Sequence, residues 1–110
     1  MKDRHDIALD FSRQVKKILG NNLSKVILYG SHARGDYRPD SDIDIMILTT
    51  LSDKEIELIE NTIFDLAFDF QMEYSIDISV VIKNESQFNY WLGALPFYDN
   101  VQKEGVVLNG

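Results

Sequence analysis

A chain of 110 residues has room for one hydrophobic core and not for two, so residues 1–110 are expected to form a single domain. An apolar fraction of 45%, with one Trp, five Tyr and six Phe, excludes a disordered chain, and the absence of cysteine excludes disulfides, thiolate catalysis and thiolate-built zinc sites. The net charge of −7, from 18 acidic against 11 basic residues, argues against a groove that grips a long nucleic acid, for which a basic stripe is needed. From Asp3 to about Leu19 the apolar residues Ile7, Ala8, Phe11, Val15, Ile18 and Leu19 recur at helical spacing, and Gly20-Asn21-Asn22 is a stop signal. Lys16 and Lys17 fall in the last turn, where they favour the helix dipole. The charged start of the chain resembles neither a signal peptide nor a transit peptide, and no apolar run reaches membrane-spanning length, so a cytoplasmic protein is expected.

The stretch from Tyr29 to Ile47 carries the chemistry. Val26-Ile27-Leu28-Tyr29 reads as a strand that enters a Gly30-Ser31 turn. Gly30 lets the backbone bend sharply and approach a phosphate, and the Ser31 hydroxyl and the following amides can donate to phosphate oxygens. A polar loop follows in which Asp36, Arg38 and Asp40 are expected to be solvated, with Pro39 keeping the chain extended. His5 and His32 are assigned no chemistry. Arg34 is open to two readings: a guanidinium that reaches a triphosphate, or an ordinary surface arginine.

The second apolar run carries Asp42 and Asp44 at its mouth. One residue apart in a strand, they project to the same side, while Ile43, Ile45 and Ile47 point into a core. Two carboxylates so placed repel each other unless a cation lies between them, and an all-oxygen site suits Mg²⁺, with Mn²⁺ also possible. Ser52-Asp53-Lys54-Glu55 is a capping box that opens a long helix reaching about Met72, with Ile56, Ile59, Ile63, Leu66, Ala67 and Phe70 on one stripe. In the run from Ser75 to Ile82, Ile76, Ile78, Val80 and Ile82 alternate with Asp77, Ser79 and Val81, so Asp77 has the parity to join the aspartate pair. The aromatic-rich stretch from Phe88 to Tyr98 reads either as one or two short helices closing the core, broken near Pro96, or as a patch for a partner. Gly105 to Leu108 reads as a terminal strand.

Gly30-Ser31 followed, after ten residues, by Asp42-x-Asp44 resembles the signature of the DNA polymerase beta-like nucleotidyltransferases in their minimal (MNT) form. The resemblance implies an α/β fold, a small mixed sheet with helices packed on one face. It implies that Asp42, Asp44 and Asp77 are catalytic and hold two Mg²⁺ ions, that Gly30, Ser31 and Arg34 bind the nucleotide, and that ATP is the substrate. Stand-alone MNT proteins are known chiefly as antitoxins of HEPN-domain toxins, all-helical proteins that are often RNases, whose tyrosine they modify with AMP. That partner, without nucleic acid or membrane, is the one the resemblance implies here. Two other readings stay open: an adenylyltransferase acting on small molecules such as aminoglycosides, and a non-catalytic module that masks its toxin.

Overall fold

Period-3.6 and period-2 hydrophobic patterns partition the chain into five helices and four strands among the residues described by this computed structural model, which are 3–38 and 40–109. Pro39, expected to keep the loop extended, lies outside them, whereas Asp36, Arg38 and Asp40 are exposed as expected. The helices are α1 (Arg4–Leu19), α2 (Ser31–Arg34), α3 (Asp53–Tyr74), α4 (Glu85–Trp91) and α5 (Pro96–Glu104). The strands are β1 (Leu23–Tyr29), β2 (Ile43–Thr49), β3 (Ile78–Asn84) and β4 (Val106–Asn109). Helix α1 is capped by the Asp3 carboxylate, which accepts from the amide of Asp6 at 2.8 Å, and Gly20 ends it at a φ of 57°. The predicted capping box opens α3: the Glu55 amide donates to Ser52 Oγ at 3.2 Å and the Ser52 amide to Glu55 Oε1 at 3.1 Å. Among the described residues no helix is long and apolar enough to cross a membrane.

The four strands form one mixed sheet in the order β3-β2-β1-β4, with β1 antiparallel to β2 and to β4, and β2 parallel to β3. Parallel neighbours cannot be joined by a tight turn, and the 22 residues of α3 supply the crossover. One face packs on α1 and α3: Val26, Leu28, Ile43, Ile45 and Ile47 meet Phe11, Val15, Ile63 and Phe70 in the main core, with Ile78, Val80 and Ile82 against it. Phe11 and Phe70 touch edge to face at 5.5 Å. Ile18, expected in this stripe, is instead 38% exposed, because it lies between the buried positions Val15 and Leu19 and turns off the face they share.

The helical layer expected on one face of the sheet is thus α1 with α3, and the opposite face additionally carries α4 and α5. Their Phe88 and Val101 bury Ile27, Met46 and Leu48 in a second, smaller core. Strands covered on both faces read as continuous apolar runs, and Val26-Ile27-Leu28 and Ile45-Met46-Ile47-Leu48 are such runs. The aromatic stretch divides between the two readings offered for it. Phe88 is buried and Tyr98 packs against it, whereas Tyr90, Trp91, Leu95 and Phe97 are exposed.

Candidate active site

At the C-terminal end of β1 the chain must reverse within two residues, and Gly30 does so with φ 74° and ψ −153°, a conformation essentially reserved for glycine. Its carbonyl then accepts from the amides of Ala33 and Arg34 at 3.1 and 3.2 Å, winding Ser31–Arg34 into the single turn of α2. Glycine is required here for a second reason. A Cβ at this position would collide with Asp44 Oδ2 and lie 3.3 Å from its Cγ. The glycine-serine turn and the second aspartate of the motif are therefore in van der Waals contact.

Asp44 lies directly across from Tyr29 in the β1–β2 ladder, on the face that bears α4 and α5. Half-burial, and after it the negative charge of Asp42, push the Asp44 carboxyl above the ordinary carboxylate range, and the Arg34 guanidinium opposes them weakly. The Tyr29 phenol is likewise raised, by burial first and then by Asp44. Tyr29 in turn meets Phe97 of α5 edge to face at 5.6 Å. A shallow pocket of about 170 Å³ opens beside this contact, lined by Tyr29, Gly30, Arg34, Phe97, Asn100 and Glu104.

Asp42 and Asp77 occupy the residues just before β2 and β3. The Ile43 amide donates to the Asp77 carbonyl at 2.9 Å, and the parallel register pairs Ile43 with Ile78 and Asp44 with Ser79. Carried back by one residue, that register gives Asp77 the same face as Asp42 and Asp44, as the alternation of its strand predicted. Asp42 and Asp77 share an open cleft of about 230 Å³ with Arg4, Asp40, Ser41, Ser75 and Ile76. Asp44 lies outside the lining of that cleft, against Gly30. Among the described residues no three Asp, Glu or His side chains are gathered closely enough to hold a metal ion, so the three aspartates share one rim without closing into a ligand set.

Arg34 turns to α5 and to its own loop. Its guanidinium pairs with Asp36 and with Glu104, each at 3.3 Å, and both pairs are solvent-exposed. What the sequence reading missed is the clamp that holds the loop before Asp42. Arg4, the first residue of α1, donates through Nη1 to the Ser41 carbonyl at 2.7 Å and meets His32 Nε2 at 3.0 Å. Its guanidinium carbon lies 5.5 Å from the centre of the Tyr37 ring, and His32 stacks on that ring at 4.4 Å. Burial and then Arg4 lower the His32 pKa, against a smaller opposing pull from Asp42. The other imidazole nitrogen is buried and turned to the backbone of Asp42, short of a formed hydrogen bond. Partners 28 and 37 residues apart leave no local pattern by which Arg4 could have been found.

Residues 10–106 match the family described as "Nucleotidyltransferase domain". A Methanocaldococcus jannaschii relative, "Putative protein adenylyltransferase MJ0604", is 33% identical over 99 residues, covering 90% of this chain and 91% of the relative. Two solved structures share the fold. A toxin–antitoxin complex with AMP-PNP contains a chain that superposes with a TM-score of 0.57 at 21% identity, over 93% of this chain and 73% of that one. A chain from the structure of a tri-AMPylated Shewanella oneidensis HEPN toxin in complex with MNT antitoxin superposes with a TM-score of 0.53 at 18% identity, over 96% of this chain and 71% of that one.

Proposed function

This chain belongs to the nucleotidyltransferase domain family, and on that premise we propose that it is a protein adenylyltransferase, the antitoxin of a HEPN/MNT toxin–antitoxin pair. It would move AMP from ATP to a tyrosine of its HEPN toxin and so silence the toxin's RNase activity. The observation that carries this reading is the contact of the Gly30 turn with Asp44, at the end of the sheet where Asp42 and Asp77 also stand. A phosphate-binding bend and a row of carboxylates at one rim form the two walls between which a triphosphate is held.

The donor set fits a hard divalent cation of the Mg²⁺ type. All its side-chain donors are carboxylate oxygens, and the charge of Asp42 already raises the Asp44 carboxyl, a repulsion that such a cation relieves. A cation held by Asp42 and Asp44, with Asp77 beside them, would supply neutralisation of the triphosphate charge. Gly30 and the Ser31 hydroxyl would cradle the outer phosphates and align the α-phosphorus. The tyrosine oxygen then forms a bond to that phosphorus, the α–β bridging bond breaks, and pyrophosphate leaves. Asp77 would stand on the acceptor side and receive the phenolic proton. Catalysis by this chain would rest on orientation and charge, with no covalent intermediate.

The test is intact-mass measurement of the HEPN partner after incubation with this protein and Mg-ATP. Additions of whole adenylate units, on the partner and not on this chain, are expected, and an unmodified partner would sink the proposal. The double variant Asp42→Ala, Asp44→Ala should fold normally, because it removes a repulsion and no core contact, and should add no AMP. Protection of cells from the toxin by that variant would favour masking over transfer.

A further inference from the structure

Helix α3 has a second apolar stripe, on the side away from the sheet. Leu58, Phe64, Phe68 and Met72 are 81%, 43%, 58% and 68% exposed, whereas Ile56, Ile63, Ala67 and Phe70 are buried on the opposite side. Phe64, Phe68 and Met72 follow one another at four-residue steps and form one ridge roughly 12 Å long, and Leu58 lies nearly four turns before Met72 on the same exposed side of the helix. An exposed ridge of this size on a small soluble protein marks a surface that another molecule covers.

Charge identifies what covers it. Helix α3 carries seven acidic residues against the single Lys54, so nearly all of the chain's net charge of −7 resides on this one element. Two of the acids serve locally: Glu55 in the capping box and Asp53 as acceptor from Gln87 Nε2 at 3.0 Å. Glu57, Asp65, Asp69 and Glu73 are exposed, lie among or beside the ridge residues, and form no ion pair among the described residues. A second copy of the chain would set two such acidic helices together, at a cost in like-charge repulsion. An anionic lipid surface would repel the ridge for the same reason. We propose that the outer face of α3 docks an amphipathic helix of a partner protein whose apolar stripe is flanked by Lys and Arg. Its ridge-into-groove packing would cover Leu58, Phe64, Phe68 and Met72 while its cations meet the four free carboxylates. The inference builds on the reading of a protein acceptor, naming where that acceptor is held, on the face of the sheet opposite to Asp44.

The test uses two synthetic amphipathic peptides of about 18 residues, long enough to be helical, with one leucine stripe in common. One has Lys and Arg beside the stripe, the other Glu, and fluorescence anisotropy reads their binding to this protein. The basic peptide is expected to bind and the acidic one not. The variant Phe68→Ser, Met72→Ser should weaken binding at least tenfold while keeping the wild-type melting temperature and ATP affinity. Equal binding of the two peptides, no binding of either, or unchanged binding by the variant would overturn the proposal. So would a dimer in light scattering, or adsorption to phosphatidylserine vesicles, that the double substitution abolishes. Because no step of this test needs AMP transfer, binding without adenylation would sink the proposed activity and leave the docking face standing. Adenylation with an unchanged KM for the partner in the variant would do the reverse.

Discussion

Gly30 and Asp44 constrain each other through one contact, and substitution at either has a readable outcome. Replacing Gly30 by Ala forces a side chain into a left-handed conformation and into the Asp44 carboxylate. The expected cost is about 2–3 kcal/mol, seen as a lower urea midpoint with an unchanged slope; a loss under half a kcal/mol would mean the turn relaxes freely. Asp44→Asn acts in the other direction. Because burial and Asp42 raise the Asp44 pKa above its ordinary 3.8, the folded state binds this proton more tightly than the unfolded one, and the ionised carboxylate is a burden at neutral pH. Neutralising it in EDTA-treated protein should stabilise the fold by on the order of 0.5 kcal/mol after allowance for solvent screening, or ~3 °C in melting temperature. The gain should shrink as pH falls through the raised value and vanish below the ordinary one, where the wild-type carboxyl is protonated in both states. A gain that persists at pH 3 would assign the effect to something other than charge. Transfer activity, in contrast, should be lost in this variant.

At the scale of elements, the sequence was most informative where a local rule decides the outcome. The Ser52–Glu55 cap, the Gly20 stop, the alternation of β3 and the inward Ile43, Ile45 and Ile47 all follow from spacing alone, and the structure has each of them. It was least informative where partners are distant in the chain. The clamp of Arg4 on His32 and Ser41, the pairing of Arg34 with Glu104 and the division of the aromatic stretch into buried Phe88 and exposed Tyr90 depend on packing that no window of sequence contains. The outer ridge of α3 shows a further difficulty. Its residues have helical spacing too, and hydrophobic periodicity alone does not tell a stripe that meets the sheet from one that meets a partner. The cap itself is a quantitative test. Ser52→Ala removes the acceptor for the Glu55 amide and should cost ~1 kcal/mol, or about 4 °C in melting temperature. A null effect would mean that the tertiary contacts of Ile56 and Ile63 hold the helix start without the box.

For the molecule as a whole, a net charge of −7 concentrated on α3 makes association with a basic partner sensitive to ionic strength. Raising the salt from about 50 mM to about 500 mM shortens the Debye length from roughly 14 Å to roughly 4 Å, and the association rate with the proposed HEPN partner should fall by an order of magnitude or more while dissociation changes little. A salt-independent association rate would mean that the partner approaches through an uncharged surface.

The direction in which β3 runs has a consequence for how such a site can arise. Had the chain returned from β2 by a hairpin, residue 77 would have emerged at the far edge of the sheet, ~23 Å from the glycine bend by the rise of a seven-residue strand. The long detour through α3 brings the chain back, so that β3 begins beside the start of β2, at the end of the sheet where β1 finishes. Shortening that detour enough to reverse β3 would leave a sheet of similar composition with its acids divided between two ends, and nothing for a nucleotide to bridge.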